Sequence, residues 1–242
     1  MKILVVGGGG REHAIVWKIA QSPKVDKIYC APGNGGIAEL AECVDIAATD
    51  IENMVKFAKD NAIDLVMVAP DDPLVLGMVD AMEKEGIRAF GPRANAAIIE
   101  GSKAFSKELM KKYNIPTANY EVFTDSTSAI DYIKAQNTFP TVIKADGLAL
   151  GKGVIIAQNL EEAEQAVREM IDDGKFGKSG SRVVIEEFLT GPEVSVLAFT
   201  DGKTVKPMVS AQDHKRVYDN DKGLNTGGMG TFSPSRLYDD AK

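Results

Sequence analysis

Lys2 to Val6 is an unbroken apolar run rich in branched side chains, and it ends in consecutive glycines, Gly7 to Gly10. A strand that is apolar on both faces belongs inside a parallel sheet covered by helices. Beyond the glycines, Ala14, Ile15, Trp17, Lys18 and Ile19 describe an amphipathic helix closed by Ser22-Pro23. The unit is strand, glycine turn, helix, and it presents backbone N–H groups and a helix N-terminus to an anion. A dinucleotide site would need G-x-G-x-x-G and, about twenty residues on, an acid for the ribose. Counted from Gly7 the third glycine position is Glu12, and counted from Gly8 it is His13. The next strand, Lys27 to Ala31, ends in Pro32-Gly33-Asn34-Gly35 without an acid. That argues against a nicotinamide-dependent oxidoreductase. Two readings of the turn remain, a phosphate cradle and a tight structural turn.

The alternation continues. Strands at Asp64 to Ala69 and around Arg88 to Phe90 are separated by helical stretches at Ile51 to Asp60 and Leu74 to Glu85. This predicts a doubly wound parallel sheet with ligands at the carboxyl ends of its strands. Pro70-Asp71-Asp72-Pro73 sits at one such end. There the acids meet a sugar hydroxyl or an amine, or Asp72 simply caps the next helix ahead of Pro73. After Gly91-Pro92 the pattern changes to two helical stretches across Ala94 to Tyr113, with Ser102-Lys103 near the start of the second. The domain boundary is placed there, giving a first domain over 1–100 and a second over 101–242. A length of 242 residues with 44% apolar side chains accommodates both cores.

The 35 acidic residues outnumber the 28 basic ones for a net charge of −7, the wrong balance for a partner that is nucleic acid or an anionic membrane. Cys30 and Cys43 form no CxxC, and His13 and His214 add no metal-ligand spacing, so neither a disulfide framework nor a protein-held metal is expected. The apolar start is too short for a signal peptide core or a membrane span, which gives a cytoplasmic expectation.

In the second half, Pro116 ends a helix, Tyr120 to Phe123 is a short strand, and Ser126 to Ala135 a helix leading to an apolar strand through Ala145. Asp146-Gly147-Leu148-Ala149-Leu150-Gly151-Lys152-Gly153 invites comparison with the phosphate loop G-x-x-x-x-G-K-[ST]. It departs on three counts: the glycine spacing is one residue short, Gly153 replaces the hydroxyl, and strand-like Val154 to Ala157 follows where a helix should. Strand, glycine-rich turn and strand make instead a hairpin, with Lys144 and Lys152 near its ends, able to close over a triphosphate. Lys144 lies inside an apolar strand, where a buried ammonium is costly unless it meets an anion. Leu160 to Ile171 reads as a helix, Arg182 to Leu189 as a strand, and Val194 to Phe199, after Gly191-Pro192-Glu193, as another. Alternation puts Glu186 and Glu187 on opposite faces, so at most one shares a face with a ligand while the other is solvated or paired.

Lys144-Ala145-Asp146-Gly147, Gly151-Lys152-Gly153-Val154, Glu186-Glu187-Phe188-Leu189 and Glu193 together resemble the glycinamide ribonucleotide synthetase family, ATP-grasp ligases of purine biosynthesis. Gly8-Gly9-Gly10-Arg11-Glu12-His13-Ala14, Gly101-Ser102-Lys103, Gln212-Asp213-His214-Lys215-Arg216 and Asn225-Thr226-Gly227-Gly228-Met229-Gly230 match in order. The resemblance implies an α/β chain, an N-terminal doubly wound parallel-sheet (pre-ATP-grasp) domain followed by a truncated α+β ATP-grasp domain. It implies ATP and Mg2+ as cofactors and 5-phosphoribosylamine and glycine as substrates, joined through a glycyl phosphate to give an amide, ADP and phosphate. By the same resemblance Lys103 and Lys144 contact ATP phosphates, with the hairpin of Gly151, Lys152 and Gly153 over them. The Glu186, Glu187, Phe188 and Leu189 segment meets adenine and Glu193 the ribose. Gly8, Gly9, Gly10, Arg11, Asp213, His214, Lys215 and Arg216 are assigned to phosphoribosylamine, a structural role for His214 staying open. Thr226, Gly227, Gly228 and Met229 are assigned to the reacting centre, and Asn225 to substrate binding. The family's Gly-Pro-Glu is Ala69-Pro70-Asp71 here, and Leu224 stands where the family has a proline. The family's later Arg-Phe-Gly-Asp-Pro-Glu segment, with the magnesium ligands it implies, is not in this sequence. The expectation is therefore an N-terminal portion of the ligase, impaired or inactive alone, with a non-catalytic nucleotide or sugar-phosphate binder and another ATP-grasp carboxylate–amine ligase as alternatives.

Overall fold

The computed structural model describes residues 1–149, 153–220 and 222–237. The chain divides into two compact units, Met1–Leu109 and Met110–Lys242. The first runs β1 (Lys2–Gly7), α1 (Gly10–Ala20), β2 (Lys27–Pro32), β3 (Glu42–Cys43), α2 (Ile51–Asp60), β4 (Leu65–Val68), α3 (Asp71–Val75), α4 (Met78–Lys84), β5 (Ala89–Phe90) and α5 (Ala94–Gly101), and α6 (Lys103–Lys112) begins in it. Its sheet has the order β3-β2-β1-β4-β5, parallel throughout. β1 is central, which explains its unbroken apolar sequence. Ile3 and Val5 pack with Val16, Ile28 and Ile37 on one face, while Leu4 and Val6 pack with Met54, Val66 and Met82 on the other.

The single helix expected over Leu74 to Glu85 is two. Gly77 sits at φ 90°, in the left-handed region, and separates α3 from α4. α3 also starts earlier than expected, at Asp71, because Pro70 is extended and Pro73 falls within the first turn, where its missing N–H has no intrahelical partner to lose.

The second unit contains β6 (Tyr120–Phe123), α7 (Ser126–Gln136), β7 (Thr141–Ala145), β8 (Val154–Ala157), α8 (Leu160–Ile171), β9 (Val183–Glu187), β10 (Ala198–Thr200), β11 (Val205–Pro207), β12 (Gln212–Tyr218) and β13 (Lys222–Phe232). Asp125 and Asn159 begin α7 and α8 by accepting from the N–H of Ser128 (2.8 Å) and Glu162 (3.0 Å). An antiparallel sheet of order β6-β9-β7-β8 is backed on one face by these helices. Ile143, Ala145, Val183 and Ile185 pack there against Ile130, Ile133, Val167 and Met170. Alternation gives the other face to Val142 and Lys144, Val184 and Glu186, Val154 and Ile156, and Tyr120 and Val122.

β10 pairs with β11, and β12 with β13. The strand expected over Val194 to Phe199 is reduced to a bridge between Ser195 and Ala211 and the short β10. Beyond the Ala198–Pro207 pair the two segments stay joined by the Met208 N–H donating to Leu197 O at 2.7 Å and by the Ser195–Ala211 bridge. No helix among the described residues is long and apolar enough to cross a membrane.

Candidate functional site

In the first unit the glycine turn lies at the carboxyl end of β1. Gly7 has φ 122°, and a Cβ there would come within 2.6 Å of Glu12 Cγ. A Cβ on Gly8 would come within 2.6 Å of the Gly33 carbonyl oxygen. These two glycines are required by close approach, as the structural reading of the turn holds. The loop after β2 grips them. The Gly33 N–H donates to Gly7 O at 3.1 Å, and Asn34 Nδ2 donates to Gly8 O at 2.9 Å while its Oδ1 accepts from Ile37 N at 2.9 Å. The Gly9 N–H, expected to face a ligand, donates to Glu12 Oε2 at 2.6 Å. Gly10 is different, since no atom lies within 4 Å of where its Cβ would be. It opens α1, with Arg11 exposed behind it, so among the described residues of this unit the space at its Cβ position is open beside the helix start.

Glu12 and Asn34 are absent from the expected set. The signals for them were present as a carboxylate at the third position of the helix and a Pro-Gly-Asn-Gly-Gly run over 32–36. Asp71 and Asp72 both lie in the first turn of α3, whose N-cap is Pro70, so Asp72 is not the cap. Lys103 opens α6, where Ser102 Oγ accepts from Phe105 N at 3.1 Å.

In the second unit Lys144 is placed on the face of the sheet opposite α7 and α8. Its Nζ lies 2.9 Å from Glu186 Oε2, and Glu186 is 6% exposed. The anion that its burial demands is thus supplied by the neighbouring strand. Glu187 points the other way and accepts from Asn119 N at 2.9 Å and Asn119 Nδ2 at 3.0 Å. The two acids point to opposite faces, as alternation predicts, and each has a partner within the chain. Phe188 and Leu189 follow β9 with exposed side chains.

The hairpin expected between Lys144 and Val154 is antiparallel in register, Thr141 opposite Ala157 and Lys144 opposite Val154. Its root is fixed by the Arg182 guanidinium, whose Nε donates to the buried Asp146 carboxylate at 2.9 Å, and by Ser179 Oγ donating to Leu148 O at 3.0 Å. Gly153 is buried, and a Cβ there would meet Ala149 Cβ at 2.7 Å. Gly151 and Lys152 lie outside the described residues.

β12 and β13 bring Asp213 and Lys215 to Glu193. Lys215 Nζ lies 3.1 Å from Asp213 Oδ2 and bonds Glu193 Oε1. Partial burial lowers the Lys215 pKa, but the hydrogen bonds to Glu193 and Asp213 outweigh it and hold the ammonium above its ordinary value. His214 is exposed and stacks its ring 5.6 Å from that of Phe232, apart from this cluster. Arg216 Nη1 donates to Gly223 O at 2.5 Å.

The register jumps between His214, opposite Gly230, and Arg216, opposite Asn225. Thr226, Gly227, Gly228 and Met229 therefore all stand against Lys215 as a wide bulge. Thr226 Oγ1 donates to Lys215 O at 2.9 Å and accepts from Gly228 N at 3.1 Å, so the Gly228 amide is already engaged. Gly228 has φ 122°, the conformation that glycine permits.

Two family models match the chain in order: phosphoribosylglycinamide synthetase, N domain, over residues 1–100, and phosphoribosylglycinamide synthetase, ATP-grasp (A) domain, over residues 101–242. The chain belongs to the phosphoribosylglycinamide synthetase family. It is 56% identical to a phosphoribosylamine–glycine ligase of Haemophilus influenzae, across 97% of this chain and 55% of that protein. It is 54% identical to one of Halalkalibacterium halodurans, across 100% of this chain and 56% of that protein. A crystal structure of phosphoribosylamine–glycine ligase from Thermotoga maritima superimposes with a TM-score of 0.81 at 34% identity, across 97% of this chain and 56% of that one. The chain spans about half the length of the curated relatives it matches. In family terms, the parallel sheet and its glycine turn fall in the match to the N domain, and the sheet bearing Lys144 falls in the match to the ATP-grasp domain.

Proposed function

We propose that this chain carries the nucleotide- and sugar-phosphate-handling part of a phosphoribosylamine–glycine ligase working in the cytoplasm, with its functional division at 100/101. The observation that carries this reading is the Lys144 ammonium, paired with Glu186, on a sheet face that also bears Val142, Val154, Ile156 and Val184. A cation set among apolar side chains at the root of a glycine-rich hairpin suits a ligand with a flat apolar base and a phosphate tail.

Lys103 and Lys144 neutralise phosphate charge, and Lys144 does so by exchanging Glu186 for phosphate oxygens. The Gly147 to Gly153 hairpin covers the phosphates. The backbone of Glu186, Glu187, Phe188 and Leu189 reads the base, and Glu193 takes the ribose hydroxyls. In the first unit the α1 start at Gly10 and Arg11 holds the phosphate of phosphoribosylamine. Asp213, Lys215 and Arg216 orient the substrate, and the bulge of Asn225, Thr226, Gly227, Gly228 and Met229 lies where charge develops, the Gly228 amide exchanging Thr226 Oγ1 for it. Bound ATP supplies the phosphoryl group that activates the glycine carboxylate. Magnesium is assigned to side chains of the part of the relatives that this chain does not span, so turnover by this chain alone is slow or absent.

A thermal-shift panel tests the reading. Mg-ATP and ribose 5-phosphate should each raise the melting temperature, by an amount corresponding to about 2.7 kcal/mol at a hundredfold excess over Kd, and NAD should not. A shift with NAD alone, or with none of the three, overturns it. Rapid glycine- and phosphoribosylamine-dependent phosphate release by this chain would overturn the assignment of the metal ligands elsewhere.

A further inference from the structure

The position that a dinucleotide-binding turn fills with its third glycine is Glu12 in this chain. Glu12 is 5% exposed. Its stem fills the gap beside Gly7, and its Oε2 accepts the Gly9 N–H at 2.6 Å. Glycine at this position would leave the Gly9 amide for a phosphate oxygen. Glu12 takes that amide and places a negative charge inside the turn. A pyrophosphate spanning the turn needs the Gly9 amide and would lie against the carboxylate. A phosphate monoester needs only the amides at the mouth of α1, next to the open space at Gly10.

We propose that Glu12 is the specificity-determining residue of this turn, admitting a phosphate monoester and excluding the pyrophosphate of a dinucleotide. The inference rests on the reading of the turn as a sugar-phosphate cradle. Glu12 acts through the Gly9 amide and through its charge, and so is a positioning residue that touches no substrate. A carboxylate that merely caps α1 would leave ligand preference unchanged when its charge is removed.

The test is calorimetric titration of the wild-type chain, Glu12→Gln and Glu12→Met with ribose 5-phosphate and with ADP-ribose. ATP is present throughout so that nucleotide binding by the second unit drops out, and circular dichroism checks the fold. Glu12→Gln keeps an acceptor for Gly9 and loses the charge; Glu12→Met keeps the volume and is the second neutral variant should the first fail to fold. The wild type should prefer ribose 5-phosphate, and a folded neutral variant should narrow that preference about tenfold by gaining ADP-ribose affinity. A folded neutral variant with the wild-type preference overturns the proposal. If the wild type binds no ribose 5-phosphate while the neutral variant gains ADP-ribose, the cradle reading fails and the role of the Glu12 charge stands.

Discussion

Lys144 and Glu186 meet diagonally across the β7–β9 ladder, Nζ 2.9 Å from Oε2, with Lys144 opposite Val184 and Glu186 opposite Val142. The pair closes a contact between residues 42 positions apart and sets an ammonium beside a carboxylate that is 6% exposed. Lys144→Met should therefore destabilise the second unit by about 1–3 kcal/mol, because it removes a cation from beside a buried carboxylate. The double variant Lys144→Met/Glu186→Leu should recover part of the loss, giving a coupling of roughly 1–3 kcal/mol in a double-mutant cycle by urea denaturation. Additive losses would show that the two side chains do not support each other.

Lys215 gives a pH signature. Its raised folded-state pKa means that the folded chain holds the proton more tightly than the unfolded chain. The contribution is fully present below the unfolded value of about 10.4 and is lost as pH rises through the folded value. Lys215→Met should lower the melting temperature modestly between pH 7 and 9, and the gap to wild type should close above about pH 10.5. A gap that widens with pH would contradict the pairing with Glu193 and Asp213.

Gly8 and Gly10 should respond in opposite ways to alanine. At Gly8 the new Cβ meets a backbone carbonyl at 2.6 Å, and at Gly10 it meets nothing within 4 Å. Gly8→Ala should cost roughly 1–3 kcal/mol and Gly10→Ala nothing, or a small gain at a helix start. Chemical denaturation of the two single variants measures both.

The thiols should differ in the same direct way. Cys30 is buried, and burial, with smaller contributions from Cys43 and Glu12, pushes its pKa up to about 12, while Cys43 is exposed. A thiol reagent at pH 8 should modify Cys43 in the folded chain and reach Cys30 only after unfolding. The raised value also means that Cys30 favours folding below about pH 8.5 and that this contribution is lost as pH rises toward 12. Mass spectrometry of labelled peptides separates the two sites.

The first unit was readable because its signals are local. An apolar run on both faces of β1 means a central parallel strand, and Ile51 to Asp60 follows helical periodicity to the residue. Periodicity cannot register a single left-handed residue, so Gly77 went unseen and two helices read as one. The hairpin of β7 and β8 was legible from its glycines. The Lys144–Glu186 pair was not, because it depends on the register of strands joined through α8. Among the site residues, the need of Lys144 for an anion followed from its apolar neighbours, but no spacing rule could say that the chain supplies one. The same holds for Glu193 and Lys215, whose meeting depends on how the segment before β10 passes β12.

The bulge opposite Lys215 splits one hairpin into two short ladders, Gln212 to His214 against Gly230 to Phe232, and Arg216 to Tyr218 against Lys222 to Asn225. All the surplus length sits on one strand. The intervening loop can thus lengthen, shorten or change shape without disturbing the pairing on either side, much as an expansion joint absorbs movement between two rigid spans. In such a hairpin the backbone facing a ligand can be reshaped independently of the scaffold that carries it.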